Sequence, residues 1–281
     1  MADGDELAAF LRSRREQLKP EDVGLPTSRH RRTPGLRRQE LATLAGVSVE
    51  YLERLEQGRD TNPSEGILAA LADTLRLSDD DKRHLAMLAM KRQSGELLPR
   101  PRPIGDEPRP SLRTLLDCLD PTPACLLGPI YDVIEWNKSW ETMARPMGLL
   151  DHSPPNLIRH HFINPKARRS FLDLDWEATA DELVGWLRSA QTEWGPDDDF
   201  RALIDELCAL PAFASRWASH PVAQRRPGAM RICHPDAGIL NITLEILLVG
   251  EANQWLQMWL PRDEQTKSAM QNVIAGPLLG S

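Results

Sequence analysis

Cysteine is scarce in this chain, with four residues in 281 (Cys118, Cys125, Cys208 and Cys233) and no CxxC pair. A disulfide framework, a zinc ribbon and a thioredoxin-type redox centre are thereby excluded, and no metal site is expected. Long apolar runs are missing too. The longest, Ala237 to Gly250, is broken by Asn241, Thr243 and Glu245 and falls short of the ~20 apolar residues of a membrane-spanning helix. The opening MADGDELAAF has neither the basic start nor the apolar centre of a secretory signal, so a cytoplasmic, thiol-reduced protein is expected. There is no GxSxG, no P-loop and no GxGxxG, so catalysis has no visible machinery and an enzyme is not expected.

An excess of positive charge is also lacking. Thirty-four Lys+Arg against 41 Asp+Glu give a net charge of −7, the wrong sign for a chain that coats nucleic acid along its length. The acidity is not uniform, however. Residues 1–95 carry 16 basic and 16 acidic side chains, whereas residues 96–281 carry 18 and 25. Between Arg12 and Arg38 there are nine basic side chains against three acidic ones, so a nucleic acid would have to be met locally.

Aromatic residues, 5% of the chain, divide it in the same place. All eight Trp lie at or after Trp136, and the first 95 residues hold one Phe and one Tyr. Between the two parts, Pro99 to Pro110 contains five prolines among arginines, a composition that favours extended backbone over packing. The organisation expected is an N-terminal domain over 1–95, a Pro/Arg-rich linker over 96–110 and a second domain over 111–281.

The first part reads as all helix, with about five short helices. Asn62-Pro63 offers a helix start, as does Ser78 followed by three aspartates. The second part reads as α+β. Strands are expected at Cys125–Leu127, Asp132–Trp136, Met230–Cys233, Gly238–Leu248 and Trp255–Leu260, with helical spacing over Trp176–Trp194 and Phe200–Leu210 between the two strand groups.

The informative segment is Arg38 to Gln57, RQELATLAGVSVEYLERLEQ. A helix-turn-helix needs a small residue where two helices cross, a Gly at the tight turn and apolar residues fixing the second helix on the first. Ala42, Gly46, and Leu41, Val47, Leu52 and Leu55 fill those places, and Ser48 is a natural cap. Arg38, Gln39, Val49, Glu50, Glu53 and Arg54 are left outside. An ordinary pair of packed helices could share the pattern, and a protein-interaction module using this fold as a dock is the rival reading. Steep salt dependence of binding separates DNA from a protein partner.

LRRQELATLAGVSVEYLERLEQGRDTNPS resembles the Xre-type, phage-repressor-like helix-turn-helix. PEDVGLP, RRTPGLRRQELA and DPTPACLLGPIYDVIEWN are similar to segments of the MmyB-like transcription regulators of actinobacteria. The resemblance spans Leu7 to about Leu260. It implies base contacts from Val49, Glu50 and Arg54 on the second helix and from Arg38 at the start of the first. An Arg can donate bidentately to guanine, a Glu can accept from a cytosine amino group and a Val can meet a thymine methyl. Phosphate contacts are expected from Arg29, Arg31, Arg32, Arg37, Gln39, Ser48 and Arg59.

The resemblance further implies that the second domain is a PAS-like antiparallel sheet with a helical insertion, holding a small apolar ligand of fatty-acyl type. Trp136, Trp140, His160, Phe162, Trp217 and Trp255 are the candidate pocket residues, and Asn137, His160, His161 or Arg231 are candidate head-group anchors. One helix-turn-helix buries little surface, so a homodimer on a two-fold operator is expected, with the interface in the globular parts because no heptad zipper is present.

Overall fold

The computed structural model describes residues 3–26, 33, 35–59, 62–94, 107–171, 173–194, 198–249 and 254–276. Two compact units are present, Met1–Arg100 with Ala218–Ala223, and Pro101–Trp217 with Gln224–Ser281. The expected linker falls mostly on 95–106, outside the described residues.

The first unit holds five α-helices among its described residues: α1 (Asp3–Gln17), α2 (Arg38–Ala45), α3 (Val49–Glu56), α4 (Glu65–Thr74) and α5 (Asp79–Ser94), with a single 3-10 turn at Pro20–Val23. Their inner stripes meet in one leucine-rich core containing Leu11, Leu41, Leu52, Leu55 and Leu71, each fully buried. Ser78 caps α5, accepting from Asp81 N at 3.2 Å while the Asp81 carboxylate accepts from Ser78 N. The start expected at Asn62-Pro63 lies two residues later. Ser64 is the cap, because its hydroxyl reaches Ile67 N and α4 begins at Glu65.

The second unit is built on one antiparallel sheet in the order β2-β1-β5-β4-β3. Its strands are β1 (Ala124–Leu127), β2 (Val133–Trp136), β3 (Gly228–His234), β4 (Gly238–Val249) and β5 (Gln254–Pro261). The insertion between β2 and β3 comprises α7 (Lys138–Met147), α8 (Leu157–Ile163), α9 (Pro165–Ser170), α10 (Asp173–Trp194), α11 (Asp198–Cys208) and α12 (Pro211–Ala218). α6 (Pro110–Leu119) precedes the sheet and α13 (Glu264–Ala275) follows it. All five expected strands and the helical insertion are present, an α+β unit of the expected kind.

The sheet buries its two faces unequally. Cys125, Ile242 and Trp259 belong to the large core shared with the insertion helices and α13, whereas Ala124, Leu126 and Leu256 meet Leu112 and Leu116 of α6 in a small one. The short insertion helices are set by asparagines. Asn137, Asn156 and Asn164 each accept from backbone N–H groups at the starts of α7, α8 and α9.

Candidate nucleic-acid interface

α2 ends at Gly46, whose φ of +67° places it in the left-handed region where glycine carries no Cβ penalty. The chain turns there, and Ser48 Oγ accepts from Tyr51 N at 3.0 Å to open α3. Ala42, 1% exposed, allows α2 and α3 to approach, and Leu52 and Leu55 seat α3 on the core. Every packing role read from this segment is filled as expected.

A buried charge locks the arrangement. Glu56, the last residue of α3, is 0% exposed. Arg15 of α1 donates to both of its carboxylate oxygens, Nε to Oε1 at 2.6 Å and NH2 to Oε2 at 3.1 Å. Arg38 Nε, at the start of α2, reaches Oε2 at 2.7 Å, and Arg12 donates to the Glu56 carbonyl at 2.5 Å. One carboxylate therefore ties together α1, α2 and α3. Arg15 also donates to Leu36 O, and Leu36 N donates back to Arg15 O. The preceding Gly35 makes that approach possible, since a Cβ there would lie 2.1 Å from the Glu16 carbonyl oxygen.

The sequence-nominated contact residues fall into three groups. Glu50 and Arg54 are exposed on α3, as is Glu53, and the Arg54 guanidinium lies 5.7 Å from the centre of the Tyr51 ring. Arg37, Gln39, Ser48 and Arg59 are exposed around the two helices. Val49 is half-buried, touching the rim of the core, and Arg38 points partly inward to Glu56 with its side chain 40% exposed. Arg29, Arg31 and Arg32 lie outside the described residues. The Glu56 clamp is not among the roles read from the sequence, where Glu56 stands only as a helix-ending acid within the motif. A carboxylate directly after the packing residue Leu55 is the signal that could have marked it.

In the second unit the six candidate pocket residues separate into groups. Trp136, Trp140 and Trp259 form one chain of ring contacts, at 6.0 and 6.3 Å between centroids. Phe162, Phe213 and Trp217 form another, at 5.2 and 5.6 Å. Trp255 stands beside Arg225, whose guanidinium also lies over Tyr131 at 3.8 Å and Trp186 at 4.0 Å. The Nε1 donors of Trp140, Trp255 and Trp259 are buried without an acceptor among the described residues. An open cleft of about 490 Å³ lies elsewhere, against Asp236, Ala237, Ala269 and Val273.

The head-group candidates fare differently. Asn137 is consumed by the fold. Its Oδ1 accepts from Ala124 N and Trp140 N, and its Nδ2 donates to Leu116 O and Thr122 O. Arg231 is exposed on β3. His160 and His161 are 2% and 3% exposed, with ring nitrogens against Gly148 O and Trp176 O respectively. Burial lowers their pKa values to about 4 and about 3, so both rings are neutral near pH 7 and the nitrogens facing those carbonyls carry the protons. His160 Nε2 is left buried with no partner among the described residues.

No curated protein sequence matches the chain. Residues 6–85, which contain the whole α2-turn-α3 arrangement, match a helix-turn-helix domain family. Residues 108–272, containing the sheet and its insertion, match the MmyB-like transcription regulator ligand binding domain. That second match covers more than half of the chain, and with the capped, clamped helix pair ahead of it the chain belongs to the MmyB-like transcription regulators.

Proposed function

We propose that this DNA-binding regulator is a cytoplasmic homodimer that reads a two-fold operator through α3, and that a small apolar ligand of fatty-acyl type in the second unit sets its operator affinity. The observation that carries the DNA half is the sidedness of α3. Leu52, Leu55 and Glu56 hold its inner face, while Glu50, Glu53 and Arg54 remain exposed. Arg54 then donates to a guanine, Glu50 accepts from a cytosine amino group and Val49 meets a thymine methyl. Arg38 adds a contact from the start of α2. Arg37, Gln39, Ser48 and Arg59, with Arg29, Arg31 and Arg32, take the phosphates.

The ligand half is supported by the three buried indole N–H groups of Trp140, Trp255 and Trp259. Protein cores pair the great majority of such donors. An oxygen-bearing head group on an apolar tail would accept from one of these donors and match its apolar surroundings. Solvent extraction of the purified protein followed by mass spectrometry identifies the tail, and a gel-shift titration tests the switch. Saturating ligand is expected to change operator affinity by roughly 5–150-fold; unchanged affinity at saturation removes the switch.

A further inference from the structure

We infer that the homodimer forms by antiparallel pairing of the outer half of β4 with itself, across a two-fold axis at Leu247. The inference rests on the dimeric reading above and supplies its surface. β3 pairs with β4 only from His234↔Gly238 to Gly228↔Leu244, whereas β5 follows β4 to Val249↔Gln254. Pro227 precedes Gly228, and with no N–H it cannot extend the ladder. Residues 245–249 are therefore paired on the β5 side alone, and no hydrogen bond to their outer edge occurs among the described residues.

The side chains of this overhang carry the same message. Leu247 and Leu248 point to opposite faces of the strand, yet they are 48% and 57% exposed. Val249 still reaches the small core under α6, so the opening is centred on these two leucines. An apolar edge left open in this way is a template for another strand. The sequence Glu245-Ile-Leu-Leu-Val249 suits a copy of itself. Antiparallel pairing centred on Leu247 sets Ile246 opposite Leu248, and Glu245 opposite Val249, so no like charges meet and apolar pairs form on both faces. Two five-stranded sheets join into one. Five paired residues bury less than the ~800 Å² per partner of a standard interface, so the dimer is concentration-dependent and is completed by two half-sites on DNA.

Two measurements on the full chain test this. In sedimentation equilibrium over a concentration series, the protein is expected to dimerise, and Leu247→Lys to raise the dissociation constant by about tenfold or more, since an edge lysine blocks pairing. In a background with Cys118, Cys208 and Cys233 replaced by Ser, the last because it stands directly opposite Ile239 on β3, Leu247→Cys is expected to give a disulfide-linked dimer under mild copper-phenanthroline oxidation. Ile239→Cys, equally exposed but on the half of β4 already paired with β3, is not. The cross-link decides the matter even if the lysine variant fails to fold. A chain that stays monomeric, or a dimer that neither loses affinity with Leu247→Lys nor cross-links through Leu247→Cys, overturns the edge. Neither measurement uses DNA, and binding of Leu247→Lys to a single half-site reports separately on the regulator reading.

Discussion

Arg15 and Glu56, 41 residues apart, meet through two hydrogen bonds, with the carboxylate at 0% and the arginine side chain at 8% exposure. A bidentate pair fixes direction as well as distance. The end of α3 is therefore aimed by α1, and Arg38 is drawn to the same carboxylate from α2.

Removing one partner leaves the other charge buried. Glu56→Ala is expected to destabilise the first unit by about 3–5 kcal/mol, read by urea unfolding. An equivalent loss from Glu53→Ala, on the exposed side of α3, would contradict the clamp.

Gly35→Ala and Gly46→Ala separate two uses of glycine. At Gly46 a Cβ meets nothing within 4 Å, so the cost is the left-handed backbone alone, about 1–2 kcal/mol. At Gly35 the Cβ strikes the backbone of Glu16, which must shift, breaking the Leu36–Arg15 bonds. Thermal melts should place Gly35→Ala below Gly46→Ala.

On an operator, Arg54→Ala is expected to cost about 1–3 kcal/mol and to relax specificity at one base pair. Removing Arg31 and Arg32 together should weaken all sequences alike and flatten the salt slope by about 1 for each arginine. Fluorescence anisotropy against salt and a base-substituted operator set separates the two effects. A specificity change from the Arg31 and Arg32 variant would reassign those residues.

Acid should loosen the second unit from a defined pH. His160 and His161 ionise at about 4 and about 3 in the folded chain because burial penalises the charged ring, against 6.5 for an open chain. Above 6.5 neither state binds the proton and nothing changes. As pH falls from 6.5 towards 4, the unfolded state binds protons first, and stability is lost by up to a few kcal/mol. His161→Gln keeps a donor for Trp176 O and removes the titration, so its melting temperature should fall less between those values. Parallel pH profiles for the two proteins would refute this.

Local chemistry was legible in the sequence. The turn at Gly46, the Ser48 and Ser78 caps and the five strands depend on neighbours or on a period of two, and each stands where it was read. Distant partners were not. Glu56 is an ordinary helix-ending glutamate until Arg15 is brought to it. Asn137 read as a ligand group because nothing nearby reveals that four backbone groups, from Leu116 to Trp140, converge on it. α7, α8 and α9 were missed because they are short, and their starts are written only in single asparagines.

The placing of every tryptophan at or after Trp136 has a practical consequence. Indole emission excited at the red edge of its band arises wholly from the half of the chain that carries the sheet, and the helix-turn-helix is dark. A shift in that emission when operator is added would be a direct optical record of binding in one unit being felt in the other, without any label.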